Sequence, residues 1–227
     1  MTWAMVNPPQ FGEWSPEPQG GFVGWHDALR KYYETEMSEA DKAALNMVDS
    51  IDNYIFSRKF VTDMGPVRPE ECPRVFETRK FPKKLGSLIS LSNRFLAVDE
   101  AMKAIIEGLE AGIHQFYPLK ITSQKSEDYP KPYFGLVIRQ FRDSFRPDDS
   151  VEGSWAPNEL VEDSYCAKYN LKECIVGLAL SKEEIGSAHL WREIKLREPG
   201  VFFSDELQAE AKRQGLRLPK HFKVKDV

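Results

Sequence analysis

The residues with reactive or metal-binding side chains are few and scattered. Three cysteines, Cys72, Cys166 and Cys174, stand far apart. An odd number at wide spacing is not a disulfide framework, suits a reducing cytoplasm, and reads as thiols serving as small hydrophobes. The four histidines, His26, His114, His189 and His221, never fall two to a helical turn, and no Cys-x-x-Cys or His-Glu-x-x-His occurs. The tightly spaced ligand pairs that zinc requires are therefore missing. A Gly-x-Ser-x-Gly elbow is absent, and Gly153-Ser154-Trp155 sits in a loop-like stretch with no strand before it. Neither type of glycine-rich phosphate loop is present. Carboxylates adjoin at Glu70-Glu71, Asp148-Asp149 and Glu183-Glu184. Sequence neighbours of this kind mark a solvated surface, whereas a glycosidase-type acid pair meets only in the fold. No cofactor and no metal is expected. For a hydrolase with a scattered site, His189 and Arg192 are the residues to check. On a strand they point to opposite faces, which predicts a core-edge histidine and a surface arginine instead of a joint site.

The elements that would carry these residues belong to an ordinary globular chain. It has 227 residues, 41% of them hydrophobic and 29% charged, with a formal charge of −4. That composition excludes disorder, collagen and coiled coil, and the size predicts one or two domains. No apolar run approaches the ~18–20 residues of a membrane span. Met1 to Asn7 lacks the features of a secretory leader, so a cytoplasmic protein is expected. The mild acidity argues against direct nucleic-acid binding.

Residues 1–25 hold Pro8, Pro9, Pro16 and Pro18 together with Trp3, Trp14 and Trp25. Proline at this density predicts an extended arm without helix or central strand, and the indoles predict that it packs on the body. Ala28, Leu29, Tyr32 and Tyr33 are spaced for a helix. Ser38 with Asp41 resembles a cap opening a second helix through Ala43, Ala44, Met47, Val48 and Ile51. Residues 60–84 read as loop with one short strand near Val75-Phe76. Ser87–Leu91 reads as a strand and Ser92 as a cap. Val98, Ala101, Met102, Ile105, Ile106 and Leu109 form an apolar helical stripe closed by Gly112. The strand Ile113–Ile121 follows, where Pro118 implies an edge or a bulge. Tyr133–Ile138 is another strand.

Residues 143–163 read as a polar loop, with six acids against one base from Arg146 to Asp163. Cys174–Leu180 looks like a buried strand. Ser181 with Glu184 caps a very short helical turn, and His189–Leu196 reads as a strand. The earlier unit then returns in shorter form: the strand Gly200–Phe203, Ser204 as cap, Asp205 and Glu206 in the first turn, and Gly215 as closing residue. From Lys212 to Lys225 there are six basic residues and no acid. These read as favourable charge at a helix C-terminus and a solvated tail, or as a patch for an acidic partner.

At these residues the chain resembles a known family. Ile185-Gly186-Ser187-Ala188-His189-Leu190-Trp191-Arg192, then Val201-Phe202-Phe203-Ser204-Asp205-Glu206-Leu207 and Gly215-Leu216, is similar to the eleventh-class immunity family of bacterial polymorphic toxin systems. Leu91-Ser92 through Gly112, with Phe116-Tyr117-Pro118-Leu119, is similar to its earlier half. The likeness covers about residues 85–138 and 175–222. Gly215-Leu216-Arg217-Leu218-Pro219 departs from the family's usual closing motif, and the first 60 residues carry no family motif.

The resemblance implies a protein, not an enzyme, that binds a cognate toxin, encoded by an adjacent gene, and neutralises it inside the producing cell. The acidic loop, with Asp148, Asp149, Glu152 and Trp155, is the candidate toxin-binding site, because a basic toxin would be steered to it. An adaptor of a secretion system stands as the alternative class, with the scattered-site hydrolase behind it. The oligomeric state is not legible. The expected fold is α+β, with mixed, largely antiparallel sheets and packed amphipathic helices. The expected division is an arm over 1–25, an N-terminal part over 26–125 and a C-terminal part over 126–227.

Overall fold

The structure, a computed structural model, describes residues 1–44, 57–168, 171–197 and 200–227. Met47, Val48 and Ile51 of the proposed second helix lie outside the described residues. The fold is α+β, with two larger, largely antiparallel sheets. The six-stranded sheet has the order β2 (Pro18–Phe22), β3 (Val75–Thr78), β6 (Gln115–Ser123), β7 (Tyr133–Val137), β5 (Leu96–Asp99), β4 (Leu88–Ser90). The five-stranded sheet runs β14 (His221–Lys223), β1 (Thr2–Met5), β13 (Phe202–Ser204), β12 (Leu190–Glu193), β8 (Phe141–Arg142). A parallel pairing joins β3 to β6 and another joins β8 to β12.

Both sheets are covered on both faces, so alternate side chains of one strand enter different cores. On β6 and β7, Tyr117, Leu119, Tyr133 and Val137 join Trp25, Leu29 and Tyr32 of α1 (Trp25–Thr35), with Phe60 and Phe95, in an outer core. From the opposite face, Leu136, Leu96 and Val98 meet Met102, Ile105 and Ile106 of α3 (Glu100–Leu109). That central core also holds Met5, Leu190 and Phe203 of the five-stranded sheet, and Leu207 and Ala211 of α6 (Asp205–Arg213). The two repeated strand–helix units thus face each other, with α3 packed on α6. The far face of the five-stranded sheet, with Ala4, Trp191 and Phe202, packs on Phe145, Ile175, Leu178, Leu180 and Ile185.

Several local expectations hold. Ser38 accepts from the Asp41 N–H (3.2 Å) at the start of α2 (Glu39–Ala44). Ser204 accepts from the Leu207 N–H (3.2 Å), and Ser181 caps α5 (Lys182–Ile185). Gly112 and Gly215 take φ of 72° and 68°, the left-handed region that a side chain penalises.

Others are corrected. Thr2–Met5 is an interior strand, because the prolines begin only at Pro8 and leave its amides free to pair. Pro18, by contrast, opens an edge strand. The helix after β4 is not capped by Ser92, which begins a one-turn 3-10 segment, Ser92–Arg94. Val98 lies in a strand, and Asp99 is the cap, accepting from the Met102 N–H (2.9 Å). Pro118 stands in a strand that is interior over its second half but is locally an edge, as expected, at the proline itself. Its neighbour β3 pairs only from Lys120 onward, so at Pro118 itself β6 has one partner, β7, and the missing N–H breaks no ladder. Lys172–Val176 is a helical turn, α4, and only Ala179–Leu180 (β11) remain of the strand expected over Cys174–Leu180.

The indoles of residues 1–25 are each engaged. Trp3 donates to Asp205 (2.7 Å), Trp25 donates to the Glu71 carbonyl (2.8 Å), and Trp14 lies against Gly86 under the Arg217 guanidinium. The basic C-terminal stretch is dispersed by the fold. Arg213 pairs with Glu210, Arg217 with Glu13, and Lys223 covers the Trp3 ring.

Candidate functional site

The acidic loop is held down at both ends by backbone hydrogen bonds. The Arg146 N–H donates to the Ala179 carbonyl (2.9 Å), and the Val151 N–H to the Gly177 carbonyl (2.8 Å). Between them, the Ser150 hydroxyl accepts from the Ala179 N–H (2.9 Å) and donates to the Arg146 carbonyl (2.7 Å). Asp148 and Asp149 ride on a one-turn 3-10 helix, Pro147–Asp149, and point outward, as does Glu152. Among the described residues, none of these three carboxylates has an ion-pair or hydrogen-bond partner. Lys225 Nζ reaches the Asp149 main-chain carbonyl (3.3 Å), so one cation lies beside the group without pairing with its carboxylates.

Trp155 has a different place. It opens β9 (Trp155–Pro157), which pairs with β10 (Tyr165–Ala167), and its ring is half-buried edge-on between Phe145 and Tyr165. It packs against the third core, on the far face of the five-stranded sheet, while the carboxylates form the exposed surface. The β9–β10 hairpin is docked in turn. The Tyr165 N–H donates to the Lys195 carbonyl (2.7 Å), and Lys195 Nζ bridges Asp143 (3.3 Å) and Asp163 (3.2 Å).

His189 and Arg192 do not converge. His189 Nδ1 faces both the Ser204 hydroxyl (2.9 Å) and Glu206 (3.1 Å). A serine–histidine–acid relay needs the two partners on opposite ring nitrogens. Here both crowd one nitrogen, and the serine is already a helix cap. Arg192 is 2% exposed, not the surface residue expected. Strand β12 is interior in its sheet and covered on both faces, so alternation sends Arg192 inward beside a small cavity of about 200 Å³ that Arg94, Ser15 and Ser90 also line. A larger apolar groove of about 580 Å³ lies over Tyr117, Pro118 and Phe134. Its one thiol, Cys72, is pushed up to about 12 by burial, which keeps it protonated and a poor nucleophile. Among the described residues no cluster of three His, Cys, Asp or Glu is arranged for a metal ion.

Three buried carboxylates escaped sequence reasoning. Glu71, expected with Glu70 on a solvated surface, is 1% exposed and accepts from Lys59 Nζ at both oxygens (2.8 and 2.7 Å). Glu110, at the C-terminal end of α3, accepts from His114 Nε2 (2.7 Å), from the His189 N–H (2.6 Å) and from the Gln140 amide. Burial raises its pKa, but the hydrogen bonds from His114, His189 and Gln140 outweigh it and hold the carboxyl below its ordinary value. Because the Gln140 amide also reaches the Leu190 carbonyl, this group ties the helix of one sheet to the strand of the other. Glu193 accepts from the Ser144 and Phe145 N–H groups (2.9 and 3.0 Å), the Ser144 hydroxyl and the Trp191 indole (3.0 Å). There burial wins, and the pKa is raised. The one signal in the chain was the Glu110/His114 spacing of four residues, which is indistinguishable from an ordinary surface pair.

With this architecture in view, the comparison with known families is decisive. The model of the immunity protein family Imm11 matches residues 31–225. The chain belongs to that family of immunity proteins. The match begins well before residue 60, so it takes in the end of α1 and all of α2, where no family motif is legible. Among curated proteins, none matches the chain. No helix among the described residues is long and apolar enough to cross a membrane.

Proposed function

We propose that this chain is the immunity partner of a toxin encoded by an adjacent gene, which it binds in the cytoplasm of the producing cell and blocks by occlusion, without carrying out a reaction. Membership of the Imm11 immunity family carries this reading. The site is the acidic loop: Asp148, Asp149 and Glu152 present carboxylates without ion-pair partners among the described residues, on a backbone pinned by four hydrogen bonds, with Trp155 just after it packed against Phe145 and Tyr165. Such a surface attracts a basic partner at long range, and a rigid one loses little entropy when it docks.

The test begins with co-expression of the chain and the product of the adjacent gene. Growth should be rescued and the two proteins should co-purify. Toxicity unchanged by the chain would overturn the reading. Reversal of the three charges, Asp148→Lys, Asp149→Lys and Glu152→Lys together, should slow association by about 10-fold or more at low salt, with the effect fading as salt screens it. An unaltered association rate would remove the loop from the site.

A further inference from the structure

Among the described residues, eleven large apolar side chains are exposed, and six of them, Val151, Leu160, Val161, Leu171, Val176 and Ile194, fall between positions 151 and 194. Leu160 is the most exposed of all, at 81%, with Val161 at 56%. Both stand at the tip of the β9–β10 hairpin. The tip is constrained, not loose. The Asn158 N–H donates to the Ser164 carbonyl (2.8 Å), and the Leu160 N–H donates to the Asn158 side chain (3.1 Å). Asp163, in the left-handed region at φ 53°, is anchored to Lys195. Two aliphatic side chains held out by a braced turn gain little for the fold, since most of their surface stays outside it.

The surroundings define what would cover them. Glu159 and Glu162 flank the pair directly, and the acidic loop enters the same hairpin from its other end. Neither flanking carboxylate has a partner among the described residues. Known interfaces share this form: an apolar centre that excludes water, ringed by charge that selects the partner.

We infer that the hairpin tip, Leu160 and Val161, is the apolar anchor of the interface and inserts into a hydrophobic recess bordered by basic residues on the toxin. This rests on the proposed function above. It divides the labour of binding, with the acidic loop setting the association rate and the tip setting the dissociation rate.

The experiment measures binding kinetics between the full chain and the purified product of the adjacent gene, catalytically disabled so that it can be handled. Leu160→Asp/Val161→Asp should dissociate about 100-fold faster or more, with an association rate within about threefold of the parent. Leu160→Met, which keeps an apolar side chain, should stay within about threefold of the parent in both rates. Because both residues are exposed, the variants should melt with the parent, and a circular dichroism melt checks this. If the parent chain binds and the double variant dissociates no faster, the tip is not the anchor, although the proposed function stands. If the parent chain does not bind the neighbouring product at all, both readings fall. If the double variant instead converts a dimer of the chain alone into a monomer, a second copy occupies the tip and the inference is overturned.

Discussion

Replacing Glu110 with glutamine tests whether its charge joins the two sheets. The side chain is isosteric, so packing is unchanged and only the hydrogen bonds respond. His114 Nδ1 accepts from the Arg139 N–H (3.2 Å), which places the proton of a neutral ring on Nε2, facing Glu110. All three groups around the carboxylate are therefore donors. A glutamine keeps one oxygen. Placed toward the His189 N–H and Gln140, it retains those two bonds in weaker, uncharged form and sets its own NH₂ against the His114 N–H. The loss is one charge-assisted bond, the weakening of two more and a buried donor left unpaired, partly offset because no charge is buried. With about 1.5–3 kcal/mol for a bond to a charged group and about 1 kcal/mol for a neutral one, the expected cost is about 3 kcal/mol. Urea titration near neutral pH should show a fall in midpoint of about 1 M.

The pH dependence supplies an independent check. The folded pKa of Glu110 lies below the ordinary 4.5, so its contribution is complete above that value and is lost as pH falls through the folded pKa. The gap between parent and variant should therefore narrow in acid. A glutamine variant as stable as the parent near neutral pH, or a gap that does not change with pH, would refute the argument that the charge holds the two sheets together.

Glu193 should show the opposite sign. Its pKa is raised, so ionisation costs stability as pH rises through the folded value, and Glu193→Gln should gain on the parent between acid and neutral pH, measured by the same titration. Asp99→Ala removes the cap at the Met102 N–H and should cost about 1 kcal/mol, read as a lower thermal midpoint, whereas Ser92→Ala at the position expected from the sequence should be nearly silent.

The contrast between Ser92 and Asp99 shows where sequence reading stopped. Val98 fits the helical stripe of Ala101, Met102 and Ile105 by spacing, and a four-residue strand buried on both faces has no polar alternation to reveal it. The same ambiguity affected Cys174–Leu180, where a short apolar run serves as a helical turn and then a strand. By contrast, Ser204 and Gly215 were legible, because a cap and a left-handed closing residue act within a few residues of themselves. Of the candidate site, the three acids were legible as an exposed polar loop. Trp155 was legible as an aromatic residue but not as a half-buried part of the core, since its neighbours Phe145 and Tyr165 are ten residues away on either side.

What the sequence determined by itself was local and compositional: the α+β class, the caps, the closing glycines, the acidic segment and the family likeness, each a property of nearby residues and of their order. Only the tertiary structure decided that Thr2–Met5 lies inside a sheet with residues about 200 positions away, that Arg192 is buried, that Glu110 links two sheets, and that the acidic segment is braced with an apolar tip beside it. These depend on which strands become neighbours. That choice is set by the joint burial of apolar faces across the whole chain, and no single segment encodes its partner.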